Sequence, residues 1–147
     1  MQTVSSSRIR ELLLDGDVEK AGELLGRPYF ISAAVEDGNH IGRTIDFPTI
    51  NQQLPEGIVM PRFGVYCSRV KIDGKAYTGV TDIGVKPTVG GSDRPLAETH
   101  IIGYSGDLYG KIVDVAFRRF IRPEMRFGSL EELRRQIARD AVNATAT

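Results

Sequence analysis

Gly64-Val-Tyr-Cys-Ser-Arg-Val-Lys-Ile72, Asp73-Gly74 and Ala76-Tyr-Thr-Gly-Val-Thr-Asp-Ile83 are two β-prone runs joined at an Asp-Gly pair. A type I′ turn needs positive φ at both central residues, and Asp-Gly supplies it, so this stretch reads as a β-hairpin. Phe30–Val35, Ala97–Ile102 and Ile112–Phe120 read as further strands, the last two separated by the glycine-bearing turn Ser105–Gly110. No long helix intervenes between successive strands. The sheet is therefore expected to be mainly antiparallel, a closed Greek-key-like barrel rather than parallel α/β.

Helices flank this β region. Ser5, Ser6 and Ser7 offer N-cap hydroxyls before Ile9, Leu12 and Leu13, and Asp15-Gly16 ends that helix. Asp17 is the N-cap of a second, with Val18, Ala21, Leu24 and Leu25 on one face and Gly26 in the left-handed C′ position before Pro28. Two helices this short must pack on the remainder of the chain or on a neighbour. At the other end, Ser129-Leu-Glu-Glu132 is a capping box, and Leu130, Leu133, Ile137 and Ala141 form the expected apolar stripe. The polar tail after Asp140 is expected to fray. The fold expected is thus mainly β, with a C-terminal helix and a short N-terminal helical appendage.

The 147 residues suit about one domain. Hydrophobic residues at 41% and charged residues at 26% fit a globular chain rather than a disordered one. Nineteen basic residues balance nineteen acidic ones, and tryptophan is absent, which argues against a basic, aromatic nucleic-acid groove. No apolar run approaches the roughly 20 residues that span a bilayer, and no signal-peptide core is present. One cysteine and two histidines make a poor zinc set and fit a reducing compartment. Neither nucleic acid nor membrane is expected as a partner, and the cytoplasm is the expected location.

Two motifs mislead. Gly106-Asp-Leu-Tyr-Gly110-Lys111 is one residue short of a P-loop, continues with Ile112 and precedes a strand, so it reads as a turn. His40-Ile-Gly-Arg43 lacks the second histidine of a nucleotidyltransferase motif. Cys67, midway along a strand, reads as a small buried hydrophobe.

The informative stretch is Gly38-Asn-His-Ile-Gly42-Arg43-Thr-Ile-Asp-Phe47-Pro48-Thr49-Ile50-Asn51. Its glycines and arginine can form a flap whose backbone N–H groups face an anion. Pro48 holds the chain extended, so Thr49 and Asn51 point to one side, where hydroxyl and amide oxygens suit a hard cation beside phosphates. By residue type alone the same stretch also reads as a Gly/Pro/Asn surface loop whose Thr49 and Asn51 satisfy turns.

Gly-x-x-x-Gly-Arg-x-x-x-Phe-Pro-Thr-x-Asn resembles the signature of the riboflavin kinase (flavokinase) family. Gly79-Val-Thr-Asp-Ile-Gly84-Val-Lys-Pro87-Thr88, Glu98-Thr-His-Ile-Ile102, Asp107-Leu-Tyr-Gly110 and Ile121-Arg122-x-Glu124-x-x-Phe127 follow in the family's order, over about Gly26 to Asp140. Val4-Ser-Ser-Ser-Arg8-Ile-Arg10 followed by Gly16-Asp-Val-Glu-Lys-Ala21 resembles the junction in the bacterial bifunctional enzyme, where it closes an adenylyltransferase domain. The resemblance divides the chain into residues 1–26, a helical linker left from that domain, and residues 27–147, the kinase domain. The adenylyltransferase domain is then the partner in the longer enzyme.

The resemblance implies transfer of the γ-phosphoryl group of ATP, the co-substrate, to the ribityl 5′-hydroxyl of riboflavin, giving FMN, with Mg²⁺ as cofactor. It makes Glu98 the general base. Gly38, Gly42, Arg43, Thr49 and Asn51 would bind ATP phosphates, with Thr49 and Asn51 also holding the metal. Arg122 and Phe127 would line the flavin slot. Read as ordinary residues, Glu98 is an outward-facing strand glutamate, Arg43 a solvated loop charge and Phe127 a core anchor. The chain departs from the family at Asp46, where glycine is usual, at Ile50 for alanine and at Asp82 for asparagine. The alternative is a non-catalytic flavin- or nucleotide-binding module on the same barrel.

Overall fold

The computed structural model describes residues 6–36, 49–86 and 94–146. Six strands, β1 (Phe30–Glu36), β2 (Thr49–Gln53), β3 (Gly64–Ile72), β4 (Lys75–Lys86), β5 (Arg94–Ile101) and β6 (Ile112–Arg122), close an antiparallel barrel in the order β1-β2-β5-β4-β3-β6. Helices α1 (Ser6–Leu14) and α2 (Val18–Leu25) precede it, and α3 (Leu130–Thr145) follows. Among the described residues no helix is long and apolar enough to cross a membrane.

The hairpin forms where the Asp-Gly pair stands. Asp73 and Gly74 take φ of 50° and 78°, and Ile72 pairs with Lys75 to start the β3–β4 ladder. Strand alternation then sorts the side chains between interior and outer wall. Ile31, Val35, Ile50, Tyr66, Val70, Ile83, Ala97, Ile101, Val113, Val115 and Phe117 belong to one buried cluster inside the barrel.

That interior is also polar in places, and its side chains bond from strand to strand, with only the Gln52 Oε1 left without a partner among those described. Thr81 donates to Ser68 Oγ at 2.8 Å and lies 2.9 Å from Thr99 Oγ1. Gln52 reaches from β2 to the carbonyls of Ala33 and Val113, both at 2.9 Å. Ala33 and Val113 are themselves register partners, so one amide clamps β1 and β6 together at one level.

The N-terminal helices are not a loose appendage. Leu12, Leu13, Val18 and Ala21 belong to the same buried cluster as the barrel interior. Arg62 N–H donates to the Leu13 carbonyl at 2.9 Å, tying α1 to the barrel end. Asp17 caps α2 through Lys20 N–H, and Gly26 ends it at φ 79°, as the residue types require.

The terminal helix differs from expectation in two respects. Its buried positions are Ile137, Asp140 and Ala144, and Leu130 is exposed. The helix also continues through Asp140 to Thr145 instead of fraying. The cause is a pair of arginines on β6. Arg122 binds the Asp140 carboxylate through Nε at 3.1 and 3.2 Å and Nη2 at 2.8 Å, and Arg119 grips Asn143. Charge pairing admits a carboxylate to the buried stripe that hydropathy alone assigns to leucine. Beneath α3, Cys67 packs with Val65, Val80 and Ala144 on the outer wall, buried as its type suggests.

Candidate active site

The outer wall of β2, β5 and β4 gathers most of the chemistry. On β2, Ile50 and Gln52 are buried in the interior, and Thr49 and Asn51 share the opposite, half-buried side. On β5, Ala97, Thr99 and Ile101 are fully buried, which turns Glu98 and His100 outward to the same wall. Register then aligns them, with Asn51 opposite Glu98 and Thr49 opposite His100. Across β5, Asp82 of β4 stands opposite Glu98. Glu36 of β1 stands opposite Asn51 and extends the row.

Four strands therefore present Glu36, Asn51, Glu98 and Asp82 at one level. Carboxylates directly opposite each other repel, and an approaching cation relieves the repulsion. One level along, the His100 ring is sandwiched, with Nδ1 2.9 Å from Thr49 Oγ1 and Nε2 3.6 Å from Glu98 Oε1. The His100 side chain is 6% exposed and the Glu98 side chain 21%. A buried imidazole thus backs a carboxylate that keeps access to solvent.

The oxygens gathered here are of the kind that a hard cation accepts. Thr49 and Asn51 offer neutral oxygens on one side of a strand, with the Glu98 carboxylate beside them. Hard cations prefer such oxygens, and Mg²⁺ commonly takes only a few protein ligands together with substrate phosphates. Among the described residues no group of three or more His, Cys, Asp or Glu is close enough to hold an ion alone.

The segment after β6 borders this wall through β4. Gly84 lies two positions along β4 from Asp82, and a β-carbon there would collide with the Glu124 carboxylate. Only glycine lets that side chain lie flat against the strand. Arg122 sits just before it, its guanidinium spent on Asp140 and on the Pro123 carbonyl at 3.1 Å, 6.0 Å from the Phe127 ring. Phe127 is half-buried ahead of the Ser129 cap.

The structure brings Thr49, Asn51 and Glu98 together on one wall and sets Arg122 beside Phe127. Gly38, Gly42, Arg43 and Asp46 lie outside the described residues. Ile50, which departs from the family pattern, fills the barrel interior at 5% exposure and faces away from the wall. Asp82, the other departure within view, is the direct neighbour of Glu98. His100 was not singled out from the sequence. Its signal was its position two residues beyond Glu98, which puts both on one face once β5 is known to be a strand.

A family model described as flavokinase, riboflavin kinase, matches residues 25–147. The chain belongs to the riboflavin kinase family. A bifunctional riboflavin kinase/FMN adenylyltransferase of Escherichia coli is 44% identical over 142 residues, covering 96% of this chain and 45% of that protein. The chain spans about half the length of the curated relatives it matches. A Streptococcus pneumoniae structure named a macrolide-efflux protein aligns over 99% of this chain and 47% of its own, with TM-score 0.89 and 34% identity. The structure of riboflavin kinase from Trypanosoma brucei aligns over 80% of this chain and 78% of its own, with TM-score 0.58. At 22% identity that second likeness speaks for the barrel alone. The riboflavin kinase match spans the whole barrel and α3, so every strand that carries the wall falls inside it.

Proposed function

We propose that this chain transfers the γ-phosphoryl group of ATP to the ribityl 5′-hydroxyl of riboflavin, forming FMN and ADP. The observation that carries the reading is the register of β2 against β5, which faces Asn51 with Glu98 and Thr49 with His100 on one solvent-reached wall. Family membership supplies the substrates.

In this reading the Glu98 carboxylate accepts the proton of the 5′-hydroxyl as that oxygen bonds to the γ-phosphorus, and the bond from phosphorus to the β-bridging oxygen breaks. A carboxylate suits the task because the alcohol becomes acidic only as the new bond forms. Rigid strand placement supplies orientation, which accounts for much of phosphoryl-transfer catalysis. Thr49 Oγ1 and the Asn51 amide oxygen would hold Mg²⁺, which neutralises phosphate charge when bound. Gly38, Gly42 and Arg43 serve the phosphates as a flap, and Arg122 and Phe127 border the flavin slot.

Residues 1–26 are read as the linker from an adenylyltransferase domain and residues 27–147 as the kinase domain. Its partner in a longer chain is that adenylyltransferase domain, and the cytoplasm is its proposed location.

The test is FMN formation by the purified chain from riboflavin, ATP and Mg²⁺, followed by chromatography, with Glu98→Gln alongside. FMN from the wild type and none from the variant supports both the activity and the base. Riboflavin bound without any FMN would sink the kinase reading in favour of a binding module.

A further inference from the structure

His100 has no assigned part in the reaction, yet it touches both halves of the site. We propose that His100 is a positioning residue that sets the Thr49 hydroxyl and the Glu98 carboxylate at once, through the two nitrogens of one ring; the proposal rests on the kinase reading of the same wall.

The argument begins with hydrogen-bond directions. A hydroxyl has one hydrogen and two lone pairs, and a threonine that ligates a cation must turn its hydrogen away from the ion. At 2.9 Å from Thr49 Oγ1, His100 Nδ1 is placed to take that hydrogen. It does so only as a bare ring nitrogen, which in the neutral imidazole places the proton on Nε2. Nε2 lies 3.6 Å from Glu98 Oε1, so the proton faces the carboxylate. That one tautomer serves both contacts. A Thr49 hydroxyl that gives its hydrogen to the ring presents oxygen lone pairs to a cation, and the ring steers the Glu98 carboxylate from the other side. Burial of the ring to 6% exposure and the backbone pairing of Thr49 with His100 fix the geometry from both sides.

Asn and Gln separate the two contacts, because an Asn amide reproduces the position of Nδ1 and a Gln amide that of Nε2. His100→Asn is expected to hold the Mg·ADP dissociation constant within about threefold while kcat falls about tenfold, the worth of one charge-to-ring contact. His100→Gln is expected to do the reverse, raising that constant about tenfold with kcat nearly preserved. Calorimetry with Mg·ADP reads the first quantity and FMN formation the second. Equal effects of both variants on both quantities would overturn the proposal, since a space-filling histidine has no reason to divide them.

A second readout needs no substrate. ¹⁵N spectra of the ligand-free chain, assigned against His100→Asn, should show the neutral Nε2–H tautomer with an Nδ1 signal that moves in Thr49→Val. An Nδ1–H tautomer, or an Nδ1 signal indifferent to Thr49→Val, would overturn it. If the wild type makes no FMN, the kinase reading fails on its own, and the spectra with the Mg·ADP constants still decide the role of His100.

Discussion

Asn51 and Glu98 are register partners on β2 and β5, an amide and a carboxylate held side by side on the outer wall of a closed barrel. Neither position can slide. Their strand neighbours Ile50, Gln52, Ala97 and Thr99 are locked in the interior, and a shift of one residue would exchange buried and exposed faces. In the kinase reading, the sheet rather than its side chains' own flexibility then fixes how Asn51 and Glu98 meet a phosphoryl donor and an acceptor hydroxyl.

Glu98→Gln follows directly. The amide keeps the shape of the side chain and removes the proton acceptor, so kcat for FMN formation should fall by about 10²–10⁴ with riboflavin and Mg·ADP affinities little changed. Steady-state kinetics beside calorimetry checks both halves. A loss confined to riboflavin affinity would make Glu98 a binding residue only.

Thr49→Val and Asn51→Ala each remove one neutral oxygen from the pair proposed to hold the cation. Each should weaken Mg·ADP binding about tenfold, in line with one lost polar contact, and leave metal-free riboflavin binding unchanged. Titrations with and without Mg²⁺ distinguish the cases. Equal weakening in the absence of the metal would remove the two residues from a metal role.

Tyr66 gives a prediction about the fold itself. Its side chain is fully buried, its hydroxyl donates to the Arg62 carbonyl at 2.6 Å, and its ring edge meets Phe117 and Phe120. Burial pushes the phenol well above its ordinary value of 10.0, with the Arg62 charge opposing only in part. Tyr29, bonded to the Val59 carbonyl, is raised as well. The folded state thus keeps protons that the unfolded state releases above about pH 10. The stability they confer is complete below that pH and declines above it, by up to roughly 1.4 kcal/mol per pH unit for each tyrosine. Urea midpoints between pH 8 and 11 should fall for the wild type and fall less steeply for Tyr66→Phe. That variant should also start about 1 kcal/mol lower at pH 8, having lost its hydrogen bond. Parallel curves would mean that Tyr66 titrates equally in both states.

Much of this architecture was legible in the residues, and the illegible parts have physical reasons. Asp73-Gly74 announced a hairpin because backbone sterics leave few other residues at its φ values. Ser129 and Glu132 announced the start of α3, and the Ser129 hydroxyl does accept from Glu132 N–H at 3.2 Å. The strand β2 was read only as an extended flank of a loop. Thr-Ile-Asn-Gln-Gln carries one aliphatic residue, and its membership in the core depends on Gln52 finding carbonyls on β1 and β6. The buried face of α3 was misjudged because Asp140 enters it only in company with Arg122, more than a dozen residues away. Thr49 and Asn51 stand out by type and spacing and Glu98 through resemblance, but the part proposed for His100 depends on a cross-strand pairing that linear sequence does not display.

That Arg122–Asp140 pair separates a structural role from a flavin role. Asp140 is almost wholly buried, and besides Arg122 it accepts from Gln136 Nε2 at 3.0 Å. Asp140→Ala leaves a largely buried guanidinium without its counter-charge and should lower stability by about 3 kcal/mol, at the lower end for such breaks because Arg122 keeps some access to water. Replacing both, as Arg122→Met with Asp140→Leu, removes the stranded charge and should recover most of that loss. Urea unfolding of Asp140→Ala and of the double variant measures this directly. The double variant then tests the flavin assignment on a folded protein. A riboflavin KM raised about tenfold or more, with KM for Mg·ATP unchanged, would place Arg122 against the flavin; an unchanged riboflavin KM would leave it solely as the strut that holds α3 to β6.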